Sequence, residues 1–474
     1  MHRSFSKGIR ILKKDTLQNG YAKRGQTLFL LSFVVLIASG TLLLCIPGMY
    51  KGGNLEFMDA LFTSTSAVCV TGLASKPICN FSFCGQLVIL LLIQAGGLGI
   101  MTLSASILLA LGKGLSFSNA LMVSNLNDNF SLRNTESLLR TVMNYTFITE
   151  GVGFVLILIS MLFSADWSGG FWQKLLETLW NSLFLSVSSF CNSGMTTFPD
   201  SLENVNRAAQ LFAALLAITG GLGVYVIYDL IQKCLDRSHR LRVHSKLVLL
   251  ATAILLIGGT VSIYFLSREN SLHPFDAFCF AVTSRTCGWN TAPMSKLSPA
   301  ATIFIMLLML IGGSPGSTAG GIKTSTVALA LAGIVSALRG DPETIVFKRR
   351  IPAGIVLRAQ TIIIIFAVLS VIGAVTLATT EKRLDLAPGT SINKLSTLAE
   401  NASTQGTTFE AVSALTTTGL SIKNTTSQLS TKGKGLLVLF MFLGRVGPFS
   451  VLLFLMSRER RGQLKYPEER IIIG

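Results

Sequence analysis

Charge is scarce in this chain: only 13% of its 474 residues are Asp, Glu, Lys or Arg. A soluble globular domain carries roughly 25%. With half the residues hydrophobic and a mean hydropathy of +0.59, that deficit excludes an ordinary water-exposed surface. Histidine is scarcer still. His2, His239, His244 and His273 all fall outside the predicted spans. No intramembrane nucleophile–base pair or metal cluster can be assembled from the sequence, which argues against an enzyme. The eight cysteines (45, 69, 79, 84, 191, 234, 279 and 287) lack metal-ligand spacing. Cys79 and Cys84 share a predicted outside loop and could pair on an oxidising face, but free thiols are the better expectation. A cleavable signal sequence is also missing. Seven Lys/Arg fill the first 26 residues, and the apolar run that follows has no clear small-residue cleavage site.

What is present is length in the apolar runs. Thr27 to Ile46 and Thr361 to Ala378 are long enough, at about 1.5 Å per residue, to cross roughly 30 Å of hydrocarbon. The chain reads as an integral protein of the lipid bilayer. Its +17 net charge could suggest nucleic acid, but the distribution argues otherwise. Basic residues gather at Arg3–Arg24, Lys233–Lys246, Phe347–Arg350 and Ser457–Lys465, alternating with loops of weaker charge. That is the positive-inside pattern, which puts both termini in the cytoplasm and leaves no need for a nucleic-acid partner.

One short unit recurs four times. "FTSTSAVCVTG" (Phe62–Gly72) shares its Phe, Ser, Ala, Thr and Gly with "FEAVSALTTTG" (Phe409–Gly419). Looser copies are "FLSVSSFCNSG" (Phe184–Gly194) and "FCFAVTSRTCG" (Phe278–Gly288). A second glycine mark follows each anchor glycine after 24, 26, 24 and 25 residues, at Gly96, Gly220, Gly312 and Gly444. Apolar spans flank each unit, at 27–46 and 86–111, 141–164 and 207–232, 246–266 and 300–338, and 355–379 and 435–456. The expected fold is therefore an all-α membrane protein of eight spans. Four helix–pore-hairpin–helix repeats (27–111, 141–232, 246–338 and 355–456) surround one pore, between a basic N-terminal tail (1–26) and a C-terminal tail (457–474).

The hairpins carry the chemistry. Asp59–Val68 can form a helix of about 15 Å, half the hydrocarbon thickness, so it must enter and return. Irregular backbone at that depth survives only when buried in protein or lining a water-filled path. Glycine permits the unusual angles that aim carbonyls inward. The candidate filter strips are Val70, Thr71 and Gly72; Asn192, Ser193 and Gly194; Thr286, Cys287 and Gly288; and Thr417, Thr418 and Gly419. No Asp, Glu, Lys or Arg lies in the first, second or fourth strip. Neutral carbonyl rings suit a monovalent cation, above all K⁺, whereas a divalent pore would call for a carboxylate ring. Close packing through small residues is the plainer alternative, and four copies in a fixed frame weigh against it. A rocking carrier would predict two related halves rather than four parallel repeats.

"DALFTSTSAVCVTGL", "SSFCNSGM", "AVTSRTCGWNT" and "VSALTTTGLS" resemble the four filter segments of the Ktr/Trk/HKT superfamily of K⁺ transporters. The likeness covers the chain from about residue 25, and the single span before the first filter makes it most similar to the Ktr-type membrane subunit. The resemblance identifies Gly72, Gly194, Gly288 and Gly419 as the filter glycines holding K⁺. Plant members with a serine at the first position are Na⁺-selective, so Gly72 points to K⁺. "CNSGM" departs from the other strips, so fourfold-equal ion sites are not expected. The resemblance also implies a bacterial cell membrane, a homodimer with one pore per protomer, and a cytosolic ring of nucleotide-binding (RCK/KTN-type) regulatory subunits. No organic cofactor is expected on this chain, and Na⁺ dependence stays open.

The third downstream span is interrupted by the glycine-rich "GGSPGSTAGGIK", which no stable helix interior would contain. It should lie below the filter on the cytoplasmic side. In the family the equivalent segment is a gating loop, here Gly312, Gly313, Ser314, Pro315, Gly316, Ser317, Thr318, Ala319, Gly320, Gly321 and Lys323. An arginine of the last helix near it matches Arg445. A buried cation beneath a cation filter would oppose permeation; a kink with a packed arginine is the alternative. A phosphate-cradling reading fails, because Ile322 separates Gly321 from Lys323.

Four further expectations concern isolated polar residues. Glu150 is either functional or a helix bridge. Arg285 should point behind the filter, toward Glu410. Asp229 should be interfacial, and Tyr466 with Ile471–Ile473 suits a dimer contact.

Overall fold

The computed structural model describes residues 27, 30–99, 135–164, 170–385, 404–422 and 425–447. Both tails, with the expected dimer contact at 466–474, lie outside the described residues, as do the ends of the spans expected at 86–111 and 435–456.

The first repeat comprises α1 (Leu30–Leu44), α2 (Phe57–Val68) and α3 (Phe83–Leu98). The second comprises α4 (Thr135–Ser164), α5 (Phe171–Phe190), α6 (Arg207–Leu222) and α7 (Val224–Leu235). The third comprises α8 (Val243–Ser267), α9 (Pro274–Thr283), α10 (Pro299–Leu310) and α11 (Thr324–Arg339). A small antiparallel hairpin of β1 (Thr344–Val346) and β2 (Arg349–Ile351) then leads to the fourth, with α12 (Ala353–Asp385), α13 (Thr404–Thr416) and α14 (Thr431–Val446).

The inner helices α3, α6, α10 and α14 start alike. Ser82, Asn206, Ser298 and Ser430 cap them by accepting the backbone N–H three residues on, from Gly85, Ala209, Ala301 and Gly433. These caps satisfy donors that a helix start leaves open. Three of the four also stop alike, at Gly99, Gly223 and Gly447, whose φ angles are +77°, +81° and +88°. Glycine carries such angles with little strain.

Packing closes the repeats into a ring. α3 lies against α5, α6 against α9, α10 against α13, and α14 against α2. Each inner helix therefore meets the helix before the strip of the next repeat, and the fourth returns to the first. The burial pattern is inverted relative to a soluble protein. The centre holds Thr63, Ser64, Thr65, Ser66, Thr416, Thr417 and Thr418, all buried, while Phe163, Ile257, Leu357 and Ile364 are exposed on the outer helices. An apolar exterior around a polar interior suits lipid.

Among the described residues, three helices are long and apolar enough to cross a membrane: Arg140–Ser164, Val243–Asn270 and Ala353–Glu381. The α6–α7 pair passes the same test only if taken together, and it bends by 97°. That bend corrects the expectation of one continuous span over 207–232: Gly223 breaks it. The placement of His244 is also corrected. It lies in the first turn of α8, inside the Val243–Asn270 span, with its ring edge-on to Tyr225 at 6.5 Å.

Candidate functional site

The helices α2, α5, α9 and α13 each end in an irregular strip, and the four strips share positive φ at two positions. The residue two before each anchor glycine has positive φ: Val70 at 55°, Asn192 at 59°, Thr286 at 72° and Thr417 at 52°. The glycines themselves have φ of 94°, 72°, 79° and 87° at Gly72, Gly194, Gly288 and Gly419. Left-handed backbone costs an L-residue roughly 1–2 kcal/mol. Four valines, asparagines or threonines in that state must be held there by their surroundings.

The holding bonds repeat as well. The N–H groups of Thr71, Ser193 and Thr418 donate to the carbonyls of Ser66, Ser188 and Ser413, each at 2.8 Å. Gly72 N–H donates to Ser66 Oγ at 3.1 Å, and Gly419 N–H to Ser413 Oγ at 3.0 Å. The serine shared by the closest sequence copies is thus the one that fixes the glycine. Ser188 instead donates to Met195 O at 2.6 Å, and Val282 occupies the place in the third strip.

The strips interlock around a closed circuit. A side-chain carbon added to Gly72 would strike the carbonyl oxygen of Ser193; at Gly194 it would strike that of Cys287. At Gly288 the obstacle is the oxygen of Thr418, and at Gly419 that of Thr71. The twelve strip residues proposed from the sequence are thereby brought together, ten of them buried and Gly72 and Gly288 half-buried. The hydroxyl oxygens of Thr71, Ser193, Thr286 and Thr417 are buried with no hydrogen-bond partner. The strips bring together neutral oxygens and no formal charge, chemistry suited to a monovalent cation.

The second glycine marks pack onto this circuit. Gly96, Gly220 and Gly444 leave no room for a side chain against the carbonyls of Val68, Phe190 and Leu415. Each of those carbonyls lies four residues before its anchor glycine, which explains the regular spacing of the two marks. The third repeat differs: Arg285 donates from its guanidinium to Gly312 O at 3.3 Å. Glu410 accepts from Thr426 at 2.7 Å and from Ser421. The expected approach of Arg285 to Glu410 is therefore corrected. Arg285 is drawn to the open carbonyl at the root of the glycine-rich loop, while Glu410 closes the hairpin of its own repeat.

That loop is pinned at its base and at its tip. Gly312 N–H donates to Ile322 O at 2.9 Å and Thr324 N–H to Gly313 O at 3.0 Å, drawing its ends together. Ser314 N–H reaches Gly221 O at 3.0 Å, and Val224 N–H donates to Gly316 O at 3.2 Å across the α6–α7 break. Gly320 sits directly against Thr416 O and Thr417 Oγ1. Arg445 donates to Thr318 O and to the carbonyls of Gly96 and Gly97. Lys323 donates to Ala319 O at 2.7 Å. A cavity of about 240 Å³ beside the loop is lined by Arg445, Lys323, Tyr145 and Tyr225.

Several contacts went unread in the sequence. Asn192 reaches the loop at Thr318. Lys434 pairs with buried Asp59 at 2.6 Å, with Lys76 further off at 3.8 Å. Glu150 is a bridge: it accepts from Gln94 at 3.1 Å and from Cys191 at 3.8 Å, tying α4 to α3 and the second strip. Asp229 is buried near the end of α7, accepting from Arg242 N–H at 2.9 Å and bonded to His239 at 2.7 Å. Cys79 and Cys84 are free thiols.

Comparison with known proteins follows the same lines. Residues 2–461 match the TrkH family, described as cation transport protein. The chain is 32% identical over 474 residues to Ktr system potassium uptake protein B of Vibrio alginolyticus, covering 98% of this chain and 97% of that protein. It is likewise 32% identical over 457 residues to potassium/sodium uptake protein NtpJ of Enterococcus hirae, covering 93% and 95%. Among solved structures, the potassium transporter TrkH from Vibrio parahaemolyticus superposes with a TM-score of 0.65 at 19% identity, over 92% of this chain and 85% of that one. That likeness speaks to the fold. These relatives are transporters rather than enzymes, and this chain belongs to the TrkH family of cation transport proteins.

Proposed function

We propose that this protein takes up K⁺ across the bacterial cell membrane, through a filter formed by the carbonyls preceding Gly72, Gly194, Gly288 and Gly419. The closed circuit in which each glycine abuts the next strip's carbonyl carries this reading. In this account the chain makes eight spans with four re-entrant hairpins, in the repeats 27–111, 141–232, 246–338 and 355–456, and both termini are cytoplasmic. The bend at Gly223 then belongs to the sixth-helix span rather than to a separate crossing. The names of the Vibrio alginolyticus and Enterococcus hirae relatives support K⁺ as cargo, and the latter makes Na⁺ the second candidate ion.

The loop 312–323 is the gate in this reading. Arg445 is its latch: a cation held below the filter by loop carbonyls opposes a permeating cation until the loop and Arg445 separate. "Ktr system" in a relative's name supports a second component. We assign that role to a cytosolic ring of nucleotide-binding RCK/KTN-type subunits acting on a homodimer of this chain.

The test is cation flux through the purified chain in liposomes, comparing K⁺, Rb⁺ and Na⁺ for wild type and Gly72→Ser. K⁺-selective flux that becomes Na⁺-permeable in the variant is the expected result. Selective flux untouched by the substitution would place the ion path elsewhere.

A further inference from the structure

We propose that the hydrogen bond between the Asn192 side chain and Thr318 couples the second filter strip to the gating loop, so that this contact links ion binding in the filter to loop position. The proposal rests on the filter and gate roles given above.

The backbone does not require asparagine at this place. Val70, Thr286 and Thr417 hold the same left-handed angle at the equivalent positions. The amide touches its own strip, with Nδ2 donating to Phe190 O at 3.4 Å, but its shorter bond is to another repeat. Asn192 Nδ2 donates to Thr318 Oγ1 at 2.8 Å, across 126 residues of sequence. The same hydroxyl donates onward to Phe190 O at 3.0 Å, the carbonyl four residues before Gly194. One loop hydroxyl is thus held between the side chain and the main chain of the second strip.

The other polar groups of Thr318 also leave the loop. Its N–H reaches Gly220 O at 3.3 Å on α6, and its carbonyl accepts from Arg445 of the fourth repeat. Asn192 and Thr318 are both buried, so breaking the pair leaves a donor and an acceptor without water to replace it. At the equivalent places the other strips offer less. Val70 is apolar, Thr286 has an unpartnered hydroxyl, and Thr417 meets the loop through its contact with Gly320.

Movement of the loop away from the filter must either break this bond or drag the second strip with it. Asn192 and Ser193 supply filter carbonyls, so the two positions of the loop present different ligand geometries to the ion. Linkage is reciprocal: what biases the loop must alter ion affinity by the same factor. Thr318, which belongs to the loop, should therefore tune K⁺ binding.

The experiment is K⁺ uptake by the full chain in liposomes over a range of K⁺ concentrations. The variants are Asn192→Val, which copies the first strip, Thr318→Val, both together, and Thr318→Ser. Each single valine variant should shift the half-saturating K⁺ concentration about fivefold, the effect of one ordinary hydrogen bond. The double variant should show the same shift, not its square, and Thr318→Ser, which keeps the hydroxyl, should restore most of it. Thr318→Val that changes maximal flux alone, or two shifts that multiply in the double variant, would overturn the coupling. Should Asn192→Val fail to fold, the Thr318 pair decides by itself. Arg445→Ala, run alongside, reports on the gate separately. Unchanged flux there, with the shift still present in Thr318→Val, would remove Arg445 as latch and keep the coupling.

Discussion

The third repeat and the other three solve one packing problem in two ways. In repeats one, two and four, a glycine on the inner helix lets that helix touch the strip carbonyl four residues before the anchor glycine. In repeat three the inner helix stops at Leu310, an irregular segment runs to Lys323, and the contact is made by Arg285 reaching Gly312. The first solution is rigid, because two backbones meet with no side chain between them. The second is a long side chain on a loop carbonyl, which can let go. On the proposed function, three contacts of the first kind and one of the second would keep the filter fixed while one segment beneath it moves.

Five substitutions probe that contrast. The largest effect should come from Gly194→Ala, which adds a side chain at φ +72° against the carbonyl of Cys287. K⁺ flux in liposomes should fall at least about tenfold, from the left-handed strain alone. Arg445→Ala should act in the opposite sense. It removes a charged donor shared between Thr318, Gly96 and Gly97, and basal flux should rise about tenfold, as expected for a charge-assisted bond. Loss of flux in that variant would make Arg445 part of the conducting path instead.

Arg285→Gln frees only the loop's root, so flux should rise a few-fold with the K⁺ to Na⁺ ratio unchanged. A changed ratio would show that Arg285 braces the filter rather than the loop. The smallest effect is thermal. Gly220→Ala meets the carbonyl of Phe190, whereas Gly221→Ala meets nothing within 4 Å. The melting temperature should drop by a few degrees in the first and hold in the second. Equal behaviour of the two would dissolve the rigid contact on which the comparison depends.

Much of this was legible in the sequence because each repeat announces itself locally. The Phe-to-Gly frame, the second glycine mark and the interrupted third span all fall within about forty residues of one another. Asn206 and Ser298 could have been read as helix caps from their position before apolar runs. The breaks at Gly99 and Gly223 were harder, because a glycine inside an apolar run reads equally as a packing surface. What the sequence could not supply is the order around the ring and the long-range partners. Arg285, expected to face Glu410, is held instead by the carbonyl of Gly312. Asn192 lies in the departing strip "CNSGM", and its side-chain partner Thr318 is 126 residues away.

The central claim is that the third strip, for all its divergence, closes the same filter as the others. The measurement is the ratio of Rb⁺ to Na⁺ flux in liposomes for Gly288→Ser against wild type, with purified folded protein in both. The account predicts that the ratio collapses, because Gly288 is held at φ +79° against Thr418 O like its three counterparts. A ratio equal to wild type would contradict it, leaving a path that the third repeat does not line.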